Sequence, residues 1–152
     1  MRAAEQIGRL VRAQPYGVLC TQAESQPYGS LVALAATADL TTLVFSTPIT
    51  TRKYRLLTEC DRVAVVMDNR SGAPSELMEV EAVTATGRAE QVLPGADFER
   101  WAGLLIERHP HLAGFVRAES SALFRVAVVR YFYVSRFQEV VQWVPVPASS
   151  SR

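Results

Sequence analysis

The sequence predicts an α+β domain built on an antiparallel β-barrel. Short runs rich in Val, Leu and Thr are separated by turn-forming residues, helical periodicity is confined to scattered segments, and the regular strand and helix alternation of a parallel sheet is missing. The chain has 152 residues, 49% of them apolar and 20% charged. A chain of that size buries roughly 70% of the surface its unfolded form exposes. Residues 1–152 are therefore expected to form a single domain, and intrinsic disorder is excluded.

Residues 1–14 form the first element, a helix with Ile7, Leu10 and Val11 on one face and Arg2, Glu5, Arg9 and Arg12 around the other. They lack the apolar centre of a signal peptide, and Glu5 with the absence of serine argues against a transit peptide. Residues 17–21, 29–37 and 42–47 follow as strands of a meander, with turns at Glu24-Ser25-Gln26-Pro27 and Ala38-Asp39. The run Leu31 to Ala36 is apolar without alternation, which predicts cover on both faces, by the barrel interior and by another element or subunit.

Between Thr50 and Cys60 the period changes, and Tyr54, Leu57 and Cys60 recur at helical spacing beside Leu56. Residues 62–68 return to strand character. A loop over Asn69 to Ser75 leads to a strand from Val80 to Val92, whose internal Gly87 marks a bulge or a close backbone approach. Phe98, Trp101, Leu104, Leu105 and Arg108 then give an amphipathic helix ending before Pro110. Strands at 122–134 and 137–144 complete the chain, and residues 145–152 are expected to be a frayed tail.

Sixteen Lys and Arg against 15 Asp and Glu leave a net charge of +1, with no basic run, so a phosphate-tracking nucleic-acid surface is not expected. No apolar stretch reaches the roughly 20 residues that cross a bilayer, so no membrane is expected to be crossed. The reading is cytoplasmic. Cys20 and Cys60 have no C-x-x-C spacing and are read as unpaired thiols. His109 and His111 flank Pro110 without further ligands nearby, which favours a helix-ending loop over a metal site and leaves an axial haem ligand as the alternative. There is no G-x-S-x-G elbow, G-x-G-x-x-G fingerprint or phosphate-binding P-loop.

The most informative segment is Ser46-Thr47-Pro48-Ile49-Thr50-Thr51-Arg52-Lys53-Tyr54-Arg55. A strand ends, hydroxyl side chains stand where a helix is capped, and three cations occupy the first turn and just beyond. Helix N-termini favour carboxylates and disfavour cations by about 0.3–1 kcal/mol per charge. An anion held by free N–H groups, threonine hydroxyls, Arg52 and Lys53 resolves that conflict. The competing reading is a solvated basic helix end, where screening keeps the penalty small.

Here the sequence resembles a known family. Gly17-Val18-Leu19-Cys20-Thr21, Gln26-Pro27-Tyr28-Gly29-Ser30-Leu31-Val32, and Leu43-Val44-Phe45-Ser46-Thr47 followed by Thr51-Arg52-Lys53 are similar to the pyridoxamine 5′-phosphate oxidase-like flavoproteins. The likeness continues through Asp61-Arg62-Val63-Ala64-Val65-Val66 and Thr86-Gly87-Arg88-Ala89-Glu90. Arg108-His109-Pro110 and Phe124-Arg125-Val126, with Tyr133 and Phe137, resemble its haem-utilisation-related branch.

The resemblance implies a split β-barrel of six or seven strands, Greek-key-like, with flanking helices, forming a homodimer that binds FMN between subunits. It places Thr51, Arg52 and Lys53 on the FMN phosphate. Ser46 and Thr47 then lie by the flavin, with Ser30, Leu31 and Val32 on the strand whose backbone meets the ring. Trp143 or a tyrosine would approach the partner's flavin, although the aromatics Tyr131, Phe132, Tyr133, Phe137 and Trp143 also suit barrel filling.

The implied activity is an FMN-dependent oxidoreductase acting on a small molecule, with no side chain marked as an obligatory proton donor. A non-catalytic flavin or haem binder and a deazaflavin (F420) reductase are the alternatives. Two departures argue against oxidation of the vitamin phosphate. Glu81-Ala82 stand where a glutamine is usual, and Gln142-Trp143-Val144-Pro145 lacks the usual arginine and histidine.

Overall fold

The computed structural model describes residues 2–70, 75–136 and 139–148. Helix α1 (Arg2–Ala13) buries Ile7, Leu10 and Val11 against the barrel core, as their spacing predicts. Strands β1 (Tyr16–Ala23) and β2 (Gln26–Ala33) form a hairpin, and β3 (Ala35–Ala36) and β4 (Thr42–Pro48) follow. Helix α2 (Arg52–Glu59) leads to β5 (Arg62–Asp68) and β6 (Ala82–Val92). After α3 (Ala96–Arg108), a 3₁₀ turn and the short α4 (Ala113–Arg117), the chain ends in β7 (Ser121–Ser135) and β8 (Glu139–Trp143).

All pairings are antiparallel, in the order β2-β1-β5-β6-β7-β4-β3, with β8 also on β7. Only Leu34 separates β2 from β3, yet they occupy opposite ends of that order. A bend at Leu34 therefore joins the two ends and closes the barrel. Strand β7 serves both halves: Ser121 to Ala127 pair with β4, and Tyr131 to Ser135 pair with β8. This is the split β-barrel of the α+β class.

Leu19, Val65, Val83, Ala85, Phe45, Phe124, Tyr131 and Tyr133 fill the interior, and Phe45 stacks on Phe124 at 5.4 Å between ring centres. A second core lies outside the wall, where Trp101, Ala102 and Leu105 of α3 cover Ala35, Val44 and Leu123. That explains the missing alternation in Leu31 to Ala36. Leu34 faces the barrel core, Ala35 faces α3, and the outer cover is a helix of the same chain. Only Leu31, 67% exposed, is left for another subunit.

Three further boundaries differ from the sequence reading. The turn expected over four residues shrinks to Glu24-Ser25, both left-handed (φ 53° and 64°), and β2 starts at Gln26. Pro27 is tolerated there because β2 ends the hydrogen-bonded order, so its missing N–H interrupts no further ladder. Helix α4 is too short to show a period. The tail is also better held than expected: Pro145 is buried, and the Ala148 N–H donates to Asp39 Oδ2 at 3.0 Å. Phe137, part of the loop at 71–74, and residues 149–152 lie outside the described residues.

Candidate functional site

The corner between β4 and α2 is built by its hydroxyls. Thr51 is the α2 N-cap, with extended backbone (φ −81°, ψ 157°), and its Oγ1 accepts from the Tyr54 N–H at 3.2 Å. The same hydroxyl donates to the Pro48 carbonyl at 2.9 Å and lies 2.8 Å from Oγ1 of the fully buried Thr47. Both threonines are thus engaged in shaping the turn. With the Tyr54 N–H on the Thr51 hydroxyl and the Arg55 N–H on the Thr51 carbonyl, the donors left at this end of α2 are the amides and the side chains of Arg52 and Lys53.

Neither cation has a carboxylate within ion-pair distance among the described residues, and the first turn of α2 contains no acid. Arg52 lies exposed, with its guanidinium 5.4 Å from the centre of the Tyr28 ring. Lys53 is half-buried and reaches the Leu31 carbonyl at 3.5 Å, a long contact. Burial without a counter-charge pushes the Lys53 ammonium pKa down. An arriving phosphate supplies the missing charge to both.

Leu31 thereby joins this corner through its backbone. Its neighbour Ser30 has a buried hydroxyl with no partner among the described residues, and Val32 is buried in the core. The Ser46 hydroxyl donates to the Ala122 carbonyl at 3.1 Å, tying the end of β4 to β7. Trp143 is not brought to the corner by its own chain. It stacks on Tyr131 at 5.7 Å and packs against the barrel core. Tyr28 was not singled out from the sequence. Once β2 extends back to Gln26, strand alternation places it on the same face as Ser30 and Val32.

The outer face of the sheet is a second feature. Val18 and Cys20 stand beside Val66 and Ala64, which stand beside Thr84 and Thr86. These residues are only half-buried, and Leu31 and Val129 project more fully at either side. Burial pushes the Cys20 thiol pKa up, and both cysteines are free.

His109 is buried, with Nε2 2.9 Å from the Leu34 carbonyl, and so pins the strand bend. Glu81, where the resemblance expects glutamine, accepts from the Tyr133 hydroxyl and from Arg9 of α1. Burial and that carboxylate push the Tyr133 pKa up to about 12. Among the described residues no cluster of three or more His, Cys, Asp or Glu is placed to hold a metal ion, and no helix is long and apolar enough to cross a membrane.

The pyridoxamine 5′-phosphate oxidase family model matches residues 3–135. The chain belongs to this family. Solved structures agree on the fold. A heme-binding protein from Mycobacterium smegmatis superposes with a TM-score of 0.82 at 18% identity, covering 93% of this chain and 57% of that one. An FAD-binding protein from Mesorhizobium loti gives 0.70 at 16%, covering 86% and 90%. The heme storage protein HutZ from Vibrio cholerae gives 0.68 at 16%, covering 95% and 96%. No curated protein matches the chain. Within the pyridoxamine 5′-phosphate oxidase family, identities this low carry the barrel and not its ligand.

Proposed function

We propose that the protein is a flavin-binding oxidoreductase that holds the flavin phosphate at Arg52 and Lys53, with Thr51 capping the turn that presents them, FMN being the smallest flavin that carries such a group. The observation that supports this most directly is the pair of cations without carboxylate partners at the N-terminal turn of α2. Arg52 offers a guanidinium fork, Lys53 a point charge, and the first-turn amides neutral donors. The unpartnered Ser30 hydroxyl supplies a further donor next to Leu31, whose carbonyl Lys53 reaches. Bound flavin supplies hydride or electron transfer at its N5. The chain's own part is to bind, orient and shield.

The same reading places the protein in the cytoplasm as a homodimer with no nucleic-acid or membrane partner. The surface that suits a second copy is the outer face bearing Val18, Cys20, Ala64, Val66 and Leu31, because a half-buried apolar face gains from cover. A dimer interface above about 2,000 Å² is expected, as in permanent dimers. Sedimentation velocity at micromolar concentration checks this, and a stable monomer overturns it.

The absorption spectrum of protein purified without added cofactor tests the cofactor. Flavin bands near the isoalloxazine maxima are expected. A Soret band instead would favour the haem-binding alternative, which His109 supports poorly because its Nε2 is engaged with Leu34. A deazaflavin spectrum would keep the fold and change the cofactor to F420.

The substrate is expected not to be pyridoxine 5′-phosphate. Beyond Arg52 and Lys53, the β7–β8 hairpin offers Arg130, held by Gln142 Oε1 at 2.9 Å, and Arg136 at the turn. A phosphate dianion desolvated there without full pairing costs several kcal/mol. The flavin-loaded protein should turn over pyridoxine 5′-phosphate with kcat/KM below the enzymatic range that starts at about 10⁴ M⁻¹s⁻¹. A value above that shows the hairpin reads the vitamin phosphate after all.

A further inference from the structure

Beside the phosphate corner lies a cleft of about 250 Å³, lined by Arg52 but not by Thr51 or Lys53. Arg52 is shared between the two. Arg55 and Glu59 follow Arg52 on the same face of α2 at three- and seven-residue spacing, and Tyr28 and Glu24 come from the hairpin opposite. The cleft therefore gathers two guanidiniums, two carboxylates and an aromatic ring around one opening. Arg55 has no carboxylate within ion-pair distance among the described residues, although both Glu24 and Glu59 line the same cleft.

The hairpin that carries Glu24 to the rim is itself unfavourable. A two-residue loop with both residues left-handed is the setting for Asn-Gly, and here Glu24-Ser25 adopt it without a glycine. Left-handed backbone is costly for residues other than glycine where the surroundings must hold it. The chain accepts that cost at a position whose side chain lines the cleft.

We infer that the cleft takes the nucleoside monophosphate half of a flavin dinucleotide, so that the site is built for FAD and not for FMN alone. The inference rests on the flavin reading of the corner. The chemistry of the cleft divides accordingly. Arg55, with the shared Arg52, meets the second phosphate, Glu24 and Glu59 accept from ribose hydroxyls, and the Tyr28 ring offers a stacking surface for the base.

Titration of the cofactor-free protein with FMN, FAD and ADP, followed by calorimetry, tests this. In the unaltered protein FAD is expected to bind at least tenfold more tightly than FMN. In Arg55→Ala that advantage should shrink to about twofold or less with FMN affinity unchanged, and Glu59→Gln should reduce FAD affinity alone. Equal affinity for FMN and FAD, or an FAD advantage that survives Arg55→Ala, overturns the inference and leaves the flavin reading standing. Failure of both flavins to bind removes the flavin reading, and ADP then probes the cleft by itself. ADP binding that Arg55→Ala abolishes supports a nucleotide cleft, and absence of ADP binding rejects it.

Discussion

Replacing Arg52 and Lys53 together with alanine is expected to weaken FMN binding by at least about a hundredfold. A hydrogen bond to a charged group contributes about 1.5–3 kcal/mol, so either single variant should lose that much. Two such losses sum to about 3–6 kcal/mol, and with part of that lost to non-additivity because both groups meet one phosphate, the middle of the range still passes the roughly 2.8 kcal/mol that corresponds to two decades of affinity. The effect on folding has the opposite sign. Both cations stand at the positive end of α2 with no acid in its first turn, so removing them relieves about 0.3–1 kcal/mol of repulsion per charge, less for the exposed Arg52. Calorimetric titration beside thermal melting thus separates the readings. Weak binding with an unchanged or raised Tm is the expected result, whereas wild-type affinity in the double variant sinks the assignment.

That corner was legible in the sequence because its signal is local. Capping hydroxyls followed directly by cations violate helix electrostatics within ten residues, and no tertiary knowledge is needed to notice it. The barrel was legible for a similar reason, since the helix spacing of Ile7, Leu10 and Val11 and the short Val-rich runs each report their own buried face.

What the sequence concealed depends on residues far apart. The bend at Leu34 is set by a hydrogen bond from Leu34 to the Pro15 carbonyl and by the ring of His109, 75 residues away. An apolar run covered by α3 also reads no differently from one covered by a second subunit, so the cover of Ala35 could not be assigned. The engagement of Thr47 and Thr51 with each other was hidden too, because pairing within the turn and pairing with a ligand need the same hydroxyls. Tyr28 escaped notice because Gln26-Pro27 reads as a turn. Only an end strand lets that dipeptide continue a ladder and turn Tyr28 toward Arg52.

Gly87 is the position where a single methyl group is expected to do most damage to the fold. Strands β6 and β7 form the longest pairing in the sheet, and their register shifts between Thr86, opposite Arg130, and Gly87, opposite Val128, which leaves Val129 unpaired in a bulge. The bulge brings the β7 backbone so close that a Cβ on Gly87 would lie 2.3 Å from the Ala127 carbonyl oxygen and 2.9 Å from a Val126 methyl. Neither neighbour yields easily. The oxygen is backbone, and Val126 is fully buried in the barrel core. Overpacking of this kind costs about 1–3 kcal/mol and occasionally more. With backbone as the obstacle, Gly87→Ala should fall at about 3 kcal/mol, a Tm decrease of roughly 6–12 °C for a chain of this length. Gly103 in α3 provides the control, since nothing lies within 4 Å of a Cβ built there and alanine is the better helix former by about 0.8–1 kcal/mol. Thermal melts of the two variants should therefore move in opposite directions, and a Gly87→Ala Tm within 2 °C of the parent, outside the roughly 6–12 °C expected, would mean that the β6–β7 bulge can open without cost.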